Sequence, residues 1–243
     1  MVDSRFVHNG GVRLHYLDTG PGTDPAGRPP VVFVPGMTDV AEDYSELLPL
    51  FGRRAVVVEL RGHGRSDAPA TGYDLASLRS DVGAVIDAVT DGPVHVVTFS
   101  RGTSYALAWA IAHPGRVRSV SIGDYTPEER ALPQPLAQRL LDGRWRGTPV
   151  ADRLDRRAAE ATFAAARSRS LWDELARLSV PLLVVRSGER VLITDEEWER
   201  YHRTFPDAWL VEFPDSPHDI FRPDRSRYPL LLREHIDVAD KLT

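Results

Sequence analysis

The chain has 243 residues, of which 30 are lysine or arginine, 35 are aspartate or glutamate and none is cysteine. The missing cysteines exclude disulfides, thiolate metal sites and cysteine nucleophiles. Because the only lysine is Lys241, a Gly-Lys-Ser/Thr phosphate loop and an interior Schiff-base lysine are excluded as well. The formal net charge of −5 argues against a nucleic-acid partner, which normally meets a basic stripe on the protein.

Length and hydropathy indicate one globular domain. The 42% hydrophobic fraction is enough for a core, and the length fits a single α/β domain. No apolar run is long enough to span a membrane, and residues 1–5 lack the apolar stretch of a signal peptide. We therefore expect a cytoplasmic protein without a membrane partner.

Short β-branched runs alternate with helical patterns along the chain, which is typical of a mostly parallel sheet with helices on both faces. Strands are predicted near residues 6–7 and over 12–16, 31–34, 55–60, 94–99, 117–122, 181–185 and 208–213. Helices are predicted over 75–89, 101–113, 195–205 and 226–242. The predicted fold class is therefore α/β, with a twisted sheet of about eight strands.

Residues 125–179 interrupt this alternation. They contain no strand-like run, and prolines and glycines divide them into short helical pieces with isolated large side chains such as Trp145 and Trp172. We predict a helical lid inserted after the sixth strand, with residues 1–124 and 180–243 forming the two parts of the core. The alternative is an ordinary helical crossover with extra turns.

Ser100 lies between a predicted buried strand and a predicted helix of small residues. This is the setting of a nucleophile elbow, in which a tight strand–turn–helix raises the serine hydroxyl above the sheet edge. Gly102 would let the helix pass close to the strand, and the N–H of Arg101 would point at a developing oxyanion. The usual elbow reads Gly-x-Ser-x-Gly, but Thr98 replaces its first glycine. Ser100 as a simple helix N-cap is therefore the alternative.

The motifs around this elbow resemble the α/β-hydrolase superfamily over nearly the whole chain. Leu-Arg-Gly-His-Gly-Arg-Ser-Asp at 60–67 resembles the loop after the family's fourth strand. Phe-Val-Pro-Gly-Met at 33–37 resembles the turn after its third strand, which implies that the N–H of Met37 is the second oxyanion donor. Two positions depart from the family pattern, since Pro35 replaces the usual histidine and Glu59 the usual aspartate.

His218 is the expected general base. A serine hydroxyl is a weak nucleophile until a neighbouring imidazole accepts its proton. Of the eight histidines, His218 follows the last predicted strand, where the family carries its histidine. His63 is expected to brace the Gly-His-Gly turn instead. A purely structural histidine is the alternative for His218.

The acid that would orient this histidine is the least regular part of the pattern. The family most often places it after the seventh strand, where this chain reads Ser-Gly-Glu-Arg-Val at 187–191 and Val191 occupies the acid's position. Asp195 lies too far along the chain for this position, at the start of a predicted helix. Some members carry the acid after the sixth strand, and Asp124 stands there. We therefore predict Asp124, with Glu189 as the second choice and a helix cap as the alternative role of Asp124.

Other pocket residues are predicted by position only. Arg101, beside the nucleophile, would pair with an internal carboxylate or bind an acidic group of the substrate, and we favour the ion pair. Met37, Thr38, Asp39 and Tyr125 are expected to line the pocket.

The resemblance implies a serine hydrolase that acts on a small-molecule carboxylic ester, thioester or lactone, with neither a cofactor nor a metal. The serine at the elbow argues against haloalkane dehalogenase and epoxide hydrolase relatives, which need an aspartate there. An amide or carbon–carbon bond hydrolase uses the same residues. A lyase, a cofactor-free oxygenase or a ligand receptor on the same fold is the other alternative.

Overall fold

A computed structural model describes residues 2–24, 26–189 and 192–242, and these residues form an eight-stranded sheet. Its strands are β1 (Asp3–Asn9), β2 (Val12–Asp18), β3 (Val31–Val34), β4 (Ala55–Val58), β5 (Val94–Phe99), β6 (Val117–Gly123), β7 (Leu182–Ser187) and β8 (Trp209–Phe213). Their order across the sheet is β1-β2-β4-β3-β5-β6-β7-β8. The predicted fold class is confirmed.

The directions of these strands decide which loops meet. β1 pairs antiparallel with β2, and β2 with β4. The adjacent pairs in the order β4-β3-β5-β6-β7-β8 are all parallel. The loops that follow β3, β5, β6 and β8 therefore meet at one edge of the sheet, which is where open α/β folds bind their ligands.

Helices cover both faces of the sheet, as predicted. They are α1 (Leu75–Val89), α2 (Gly102–Ala112), α3 (Gln134–Leu141), α4 (Arg156–Ala165), α5 (Trp172–Leu178), α6 (Asp195–Thr204) and α7 (Arg227–Ala239). Val32 and Val34 point to the face covered by α1, α2, α5 and α6. Val31 and Phe33 point to the face covered by α7, because successive side chains of a strand alternate. None of the helices described here has the length and apolarity needed to cross a membrane.

The segment between β6 and β7 contains α3, α4 and α5 together with two pairs of two-residue strands. Glu128–Glu129 pairs with Arg169–Ser170, and Arg144–Trp145 forms a hairpin with Thr148–Pro149. The expectation of a segment without strands was wrong, because two-residue strands are too short to leave an alternating pattern. α3 and α4 pack in a small core with Met37, whereas α5 packs on the sheet.

His235, on α7, makes the stability of this fold depend on pH. Its side chain is buried, with its ring centroid 5.5 Å from that of Trp209 and its Nδ1 3.2 Å from Ser121 Oγ. Burial lowers the pKa of His235 from 6.5 to about 4. In the unfolded chain, the imidazole of His235 is protonated below about pH 6.5. The free energy of unfolding therefore falls as the pH is lowered from about 6.5 towards about 4, because the unfolded state binds more protons than the folded state in this range.

We expect acidification from about pH 7 to about pH 4.5 to cost about 2 kcal/mol of unfolding free energy through His235. His235→Leu should remove that part of the loss, which urea titrations at the two pH values measure. His202→Leu, at an exposed histidine of α6, is the matched control and should keep the full loss. An equal loss in wild type and His235→Leu would contradict the assignment.

Candidate active site

Ser100 occupies the sharp turn between β5 and α2. Its backbone has φ 51°, a left-handed conformation that is strained for serine, and its N–H donates to Gly123 O at 2.8 Å. A Cβ at Gly102 would lie 2.1 Å from Pro35 O and 2.5 Å from Val34 O. The start of α2 therefore passes so close to β3 that only glycine fits, as an elbow requires.

Thr98 is tolerated at the first position of the elbow because its buried hydroxyl forms hydrogen bonds. The side chain is fully buried, and Oγ1 lies 2.8 Å from Thr103 Oγ1 and 3.2 Å from Ser121 O. The threonine thus links β5 to α2 without leaving a buried hydroxyl unpaired. The departure from the usual glycine leaves the turn intact.

A chain of hydrogen bonds joins Ser100, His218 and Asp124. Ser100 Oγ lies 2.9 Å from His218 Nε2, and His218 Nδ1 lies 2.7 Å from Asp124 Oδ2. Because a carboxylate only accepts, Nδ1 carries the proton and Nε2 is free to accept the proton of the Ser100 hydroxyl. The structure therefore brings together the three residues that the sequence predicts as nucleophile, base and acid.

The carboxylate of Asp124 is held by more than His218. Asp124 has φ 46° directly after β6 and is completely buried. The N–H and the hydroxyl of Ser187, at the end of β7, each donate to it at 2.9 Å. With three donors around it, the carboxylate is satisfied and fixed in orientation. Asp124 therefore lies at the carboxyl edge of the sheet, between the ends of β6 and β7.

The other acidic candidates lie elsewhere. Glu189 is exposed, and within the described residues its carboxylate forms no hydrogen bond with His218. Asp195 pairs with Arg186 at 2.5 Å at the start of α6. Val191, which stands at the family's usual acid position, is outside the described residues, so the structure makes no statement about its surroundings.

The turn after β3 lies against Ser100. A Cβ at Gly36 would be 3.1 Å from Ser100 Cβ, and the Gly36 N–H donates to Asp39 Oδ2 at 2.8 Å. His63 braces the turn, since its Nε2 lies 2.6 Å from Met37 O. Within the described chain, the N–H groups of Met37 and Arg101 have no protein acceptor. Two free amide donors therefore flank the serine.

The expected ion pair of Arg101 is wrong for the part of the chain described here. Its Nε donates to Tyr105 OH at 3.0 Å and its Nη1 to Arg130 O at 2.9 Å, while the guanidinium lies 5.4 Å from the Phe163 ring. The side chain is 4% exposed. Arg101 thus ties α2 to the inserted segment through neutral acceptors.

The cavity in front of Ser100 has a volume of about 230 Å³. Met37, Thr38 and Asp39 line it, as the sequence predicts. Tyr125 does not, which corrects that prediction: the side chain packs in the core beneath the sheet edge, and its carbonyl accepts from Tyr201 OH at 2.8 Å. A larger cavity, of about 650 Å³, contains neither Ser100 nor His218.

The far wall of the cavity comes from the inserted segment, and sequence reasoning missed it. Residues Arg139, Leu140, Gly143, Arg144, Trp145 and Val150 line this wall. The sequence signal available here was an isolated tryptophan, Trp145, between arginines and glycines. It did not predict a hairpin, because strands of two residues each are too short to show an alternating pattern.

The hairpin of residues 144–149 is fixed to the loops that carry the site. Trp145 Nε1 donates to Asp39 Oδ1 at 2.6 Å. Arg146, with φ 49°, donates to Asp219 from Nε at 2.9 Å and from Nη2 at 2.7 Å. Burial raises the pKa of Asp39. Asp219 is the next residue after His218, so one arginine joins the hairpin to the loop of the predicted base.

Comparison with known proteins shows the family of this chain. Residues 31–228 match the model of the alpha/beta hydrolase family. The chain belongs to this family. A 2-(acetamidomethylene)succinate hydrolase from Mesorhizobium japonicum is 27% identical over 252 residues, which cover 88% of each chain. A non-heme chloroperoxidase from Streptomyces lividans is 35% identical over 121 residues, covering 48% of this chain but only 42% of that protein.

Solved structures of the family show the same fold. A crystal structure of E-2-(acetamidomethylene)succinate hydrolase superposes with a TM-score of 0.80 at 24% identity, over 98% of this chain and 100% of the other. Family membership and these relatives support an enzyme. Which bond the enzyme cleaves, and in which substrate, has to be argued from the chemistry of the site.

Proposed function

We propose that this chain is a serine hydrolase that cleaves carboxylic esters, thioesters or lactones through an acyl-enzyme on Ser100. The observation that carries the proposal is the unbroken hydrogen-bond chain from Ser100 Oγ through His218 to the buried Asp124. Such a chain activates a hydroxyl that is otherwise a weak nucleophile.

The proposed reaction uses each of these atoms. Ser100 Oγ attacks the substrate carbonyl carbon while His218 Nε2 takes the hydroxyl proton. The tetrahedral intermediate collapses, and the imidazolium returns that proton to the leaving alcohol, thiol or ring oxygen. Water then gives a proton to His218 Nε2 and attacks the acyl carbon. As the bond to Ser100 Oγ breaks, the imidazolium passes that proton to Oγ, which releases the acid and restores the serine. Asp124 holds Nδ1–H and stabilises the imidazolium in both halves.

The amides of Met37 and Arg101 are proposed to bind the oxyanion. Both N–H groups flank Ser100 and have no protein acceptor within the described residues. Arg101 is also the N-cap residue of α2, directly before Gly102, and the dipole at this end of the helix favours negative charge. Donors fixed before the reaction stabilise the charge as it develops on the carbonyl oxygen.

Residues 125–179 are proposed to act as a lid over this site. The hairpin of residues 144–149, here called the lid hairpin, supplies Arg144 and Trp145 to the cavity wall, and Trp145 binds Asp39 directly. The cavity of about 230 Å³ is smaller than the roughly 300–1,000 Å³ of sites for drug-sized ligands. This volume favours substrates with a short acyl group.

Amide hydrolysis is the second candidate. It needs the same serine, imidazole and oxyanion donors. The similarity to a 2-(acetamidomethylene)succinate hydrolase over 88% of both chains favours it.

A panel of p-nitrophenyl esters tests the proposal. We expect the acetate and butyrate to be hydrolysed with a higher kcat/KM than the octanoate, because the cavity is small. Ser100→Ala should lower kcat by about 10⁴-fold or more. Ser168→Ala, at an exposed serine, is the matched control and should retain full activity. Wild-type turnover in Ser100→Ala would overturn the proposal.

A further inference from the structure

Two arginines lie in the cavity wall that faces Ser100. Arg139 is on α3 and Arg144 is in the lid hairpin, and both line the same cavity as Ser100 and His218. Both side chains are exposed. Within the described residues Arg139 forms no ion pair, and Arg144 donates only to the backbone carbonyl of Gly147. Two guanidinium groups are therefore available to a ligand.

The acidic residues nearby do not neutralise them. Asp39 is the acidic residue in the wall of this cavity, but Oδ2 accepts from Gly36 and Oδ1 from Trp145. Arg146 Nη1 adds a compensating charge 3.7 Å from Asp39 Oδ1. Asp142, close to Arg139 in sequence, pairs with Arg156 at 2.8 Å.

The charge at the cavity therefore differs from the charge of the whole chain. The protein carries a net charge of −5, which by itself repels an anionic ligand. Arginines without an ion-pair partner in the wall of a concave site attract one, because the cavity walls focus the local field. An arginine also binds a carboxylate through two parallel hydrogen bonds, which fixes its direction as well as its distance.

We infer that Arg139 and Arg144 bind a carboxylate on the acyl part of the substrate, so that the enzyme hydrolyses half-esters of short dicarboxylic acids. The inference rests on the proposed function and assigns a substrate class to the same site. The small cavity places the carboxylate a few bonds from the scissile carbonyl. Both arginines belong to the inserted segment, so this segment determines specificity while the sheet edge carries the reacting groups.

The test compares two esters that differ in one group. Monoethyl succinate carries the carboxylate, and ethyl succinamate replaces it with a neutral amide of nearly the same shape. We expect the wild type to hydrolyse monoethyl succinate with at least about tenfold higher kcat/KM, a preference that salt should weaken because the arginines are exposed. Ethanol release measures both reactions.

The variants separate the inference from the proposed function. Arg139→Gln with Arg144→Gln should lower the kcat/KM ratio of the two esters about tenfold, and Arg139→Glu with Arg144→Glu should reverse the preference. Arg157→Gln, at an exposed arginine of α4, is the matched control and should keep the wild-type ratio. A ratio near one in the wild type, or a ratio that the double variants leave unchanged, would overturn the inference while Ser100-dependent turnover stands. Turnover of neither ester would overturn the proposed function itself.

Discussion

Asp124→Asn is expected to lower kcat for ester hydrolysis about 10⁴-fold while leaving the fold intact. The asparagine oxygen, in the position of Oδ1, can still accept from the N–H of Ser187, whereas the NH₂ group replaces Oδ2, the oxygen that binds the Ser187 hydroxyl and His218. This NH₂ group would then face His218 Nδ1 and force the ring proton onto Nε2. An Nε2–H cannot accept the proton of Ser100, so the base is lost although every atom stays near its place. Steady-state hydrolysis of p-nitrophenyl acetate measures the loss.

Glu189→Gln is the matched control for that substitution. Glu189 is exposed and was the second choice for the acid, so its substitution should change kcat by less than about twofold. Thermal unfolding of both variants checks that the fold is kept. Near-wild-type activity in Asp124→Asn together with a large loss in Glu189→Gln would move the role of the acid to Glu189.

Arg146→Ala is expected to lower the free energy of unfolding by about 3 kcal/mol or more. The guanidinium binds Asp219 through two hydrogen bonds and packs 4.9 Å from the ring of Tyr44. The side chains of Arg146 and Asp219 are only 11% and 8% exposed. Removing the arginine leaves buried carboxylates without their cation, which costs more than the pair itself contributes. Urea denaturation measures the change.

Two further variants make this result specific. Arg157→Ala, at an exposed position of α4, should change stability by less than about 0.5 kcal/mol. Arg146→Ala in an Asp219→Asn background should cost much less than in the wild type, because the two side chains are in contact and their effects are not additive. Equal losses in the two backgrounds would show that the ion pair does not hold the hairpin.

Much of the fold could be predicted because its central strands are buried on both faces. Runs such as Val31–Val34 and Ala55–Val58 are continuously apolar, and such a run between turn signals predicts a buried strand. The three polar residues of the site could be predicted from topology and family resemblance together. Ser100 and Asp124 directly follow adjacent parallel strands, whose carboxyl ends meet at one edge of the sheet, whereas His218 was predicted because the family carries its histidine after the last strand.

The structure of the inserted segment, residues 125–179, could not be predicted in the same way. Its hairpin has strands of two residues each, and its position depends on tertiary contacts such as Trp145 with Asp39 and Arg146 with Asp219. These partners are 106 and 73 residues apart in sequence. Periodicity carries no information about contacts at such separations, so the wall of the cavity was missed.

The sequence also did not predict where the side chains next to Ser100 and Asp124 point. Tyr125 follows Asp124, whose φ of 46° turns the backbone, and its side chain enters the core instead of the cavity. Arg101 follows Ser100, which has the same left-handed conformation, and its side chain meets Tyr105 and the carbonyl of Arg130. Position next to a catalytic candidate therefore indicates proximity of the backbone but not of the side chain.

Covalent labelling with a fluorophosphonate tests the central claim most directly, because the probe reacts with a serine only when a neighbouring base activates it. Peptide mapping of the labelled protein should show one modified residue, Ser100. His218→Ala should slow the labelling strongly, and Ser100→Ala should abolish it. Labelling of a different serine, or no labelling of a folded wild-type protein that still hydrolyses esters, would contradict an acyl-enzyme on Ser100.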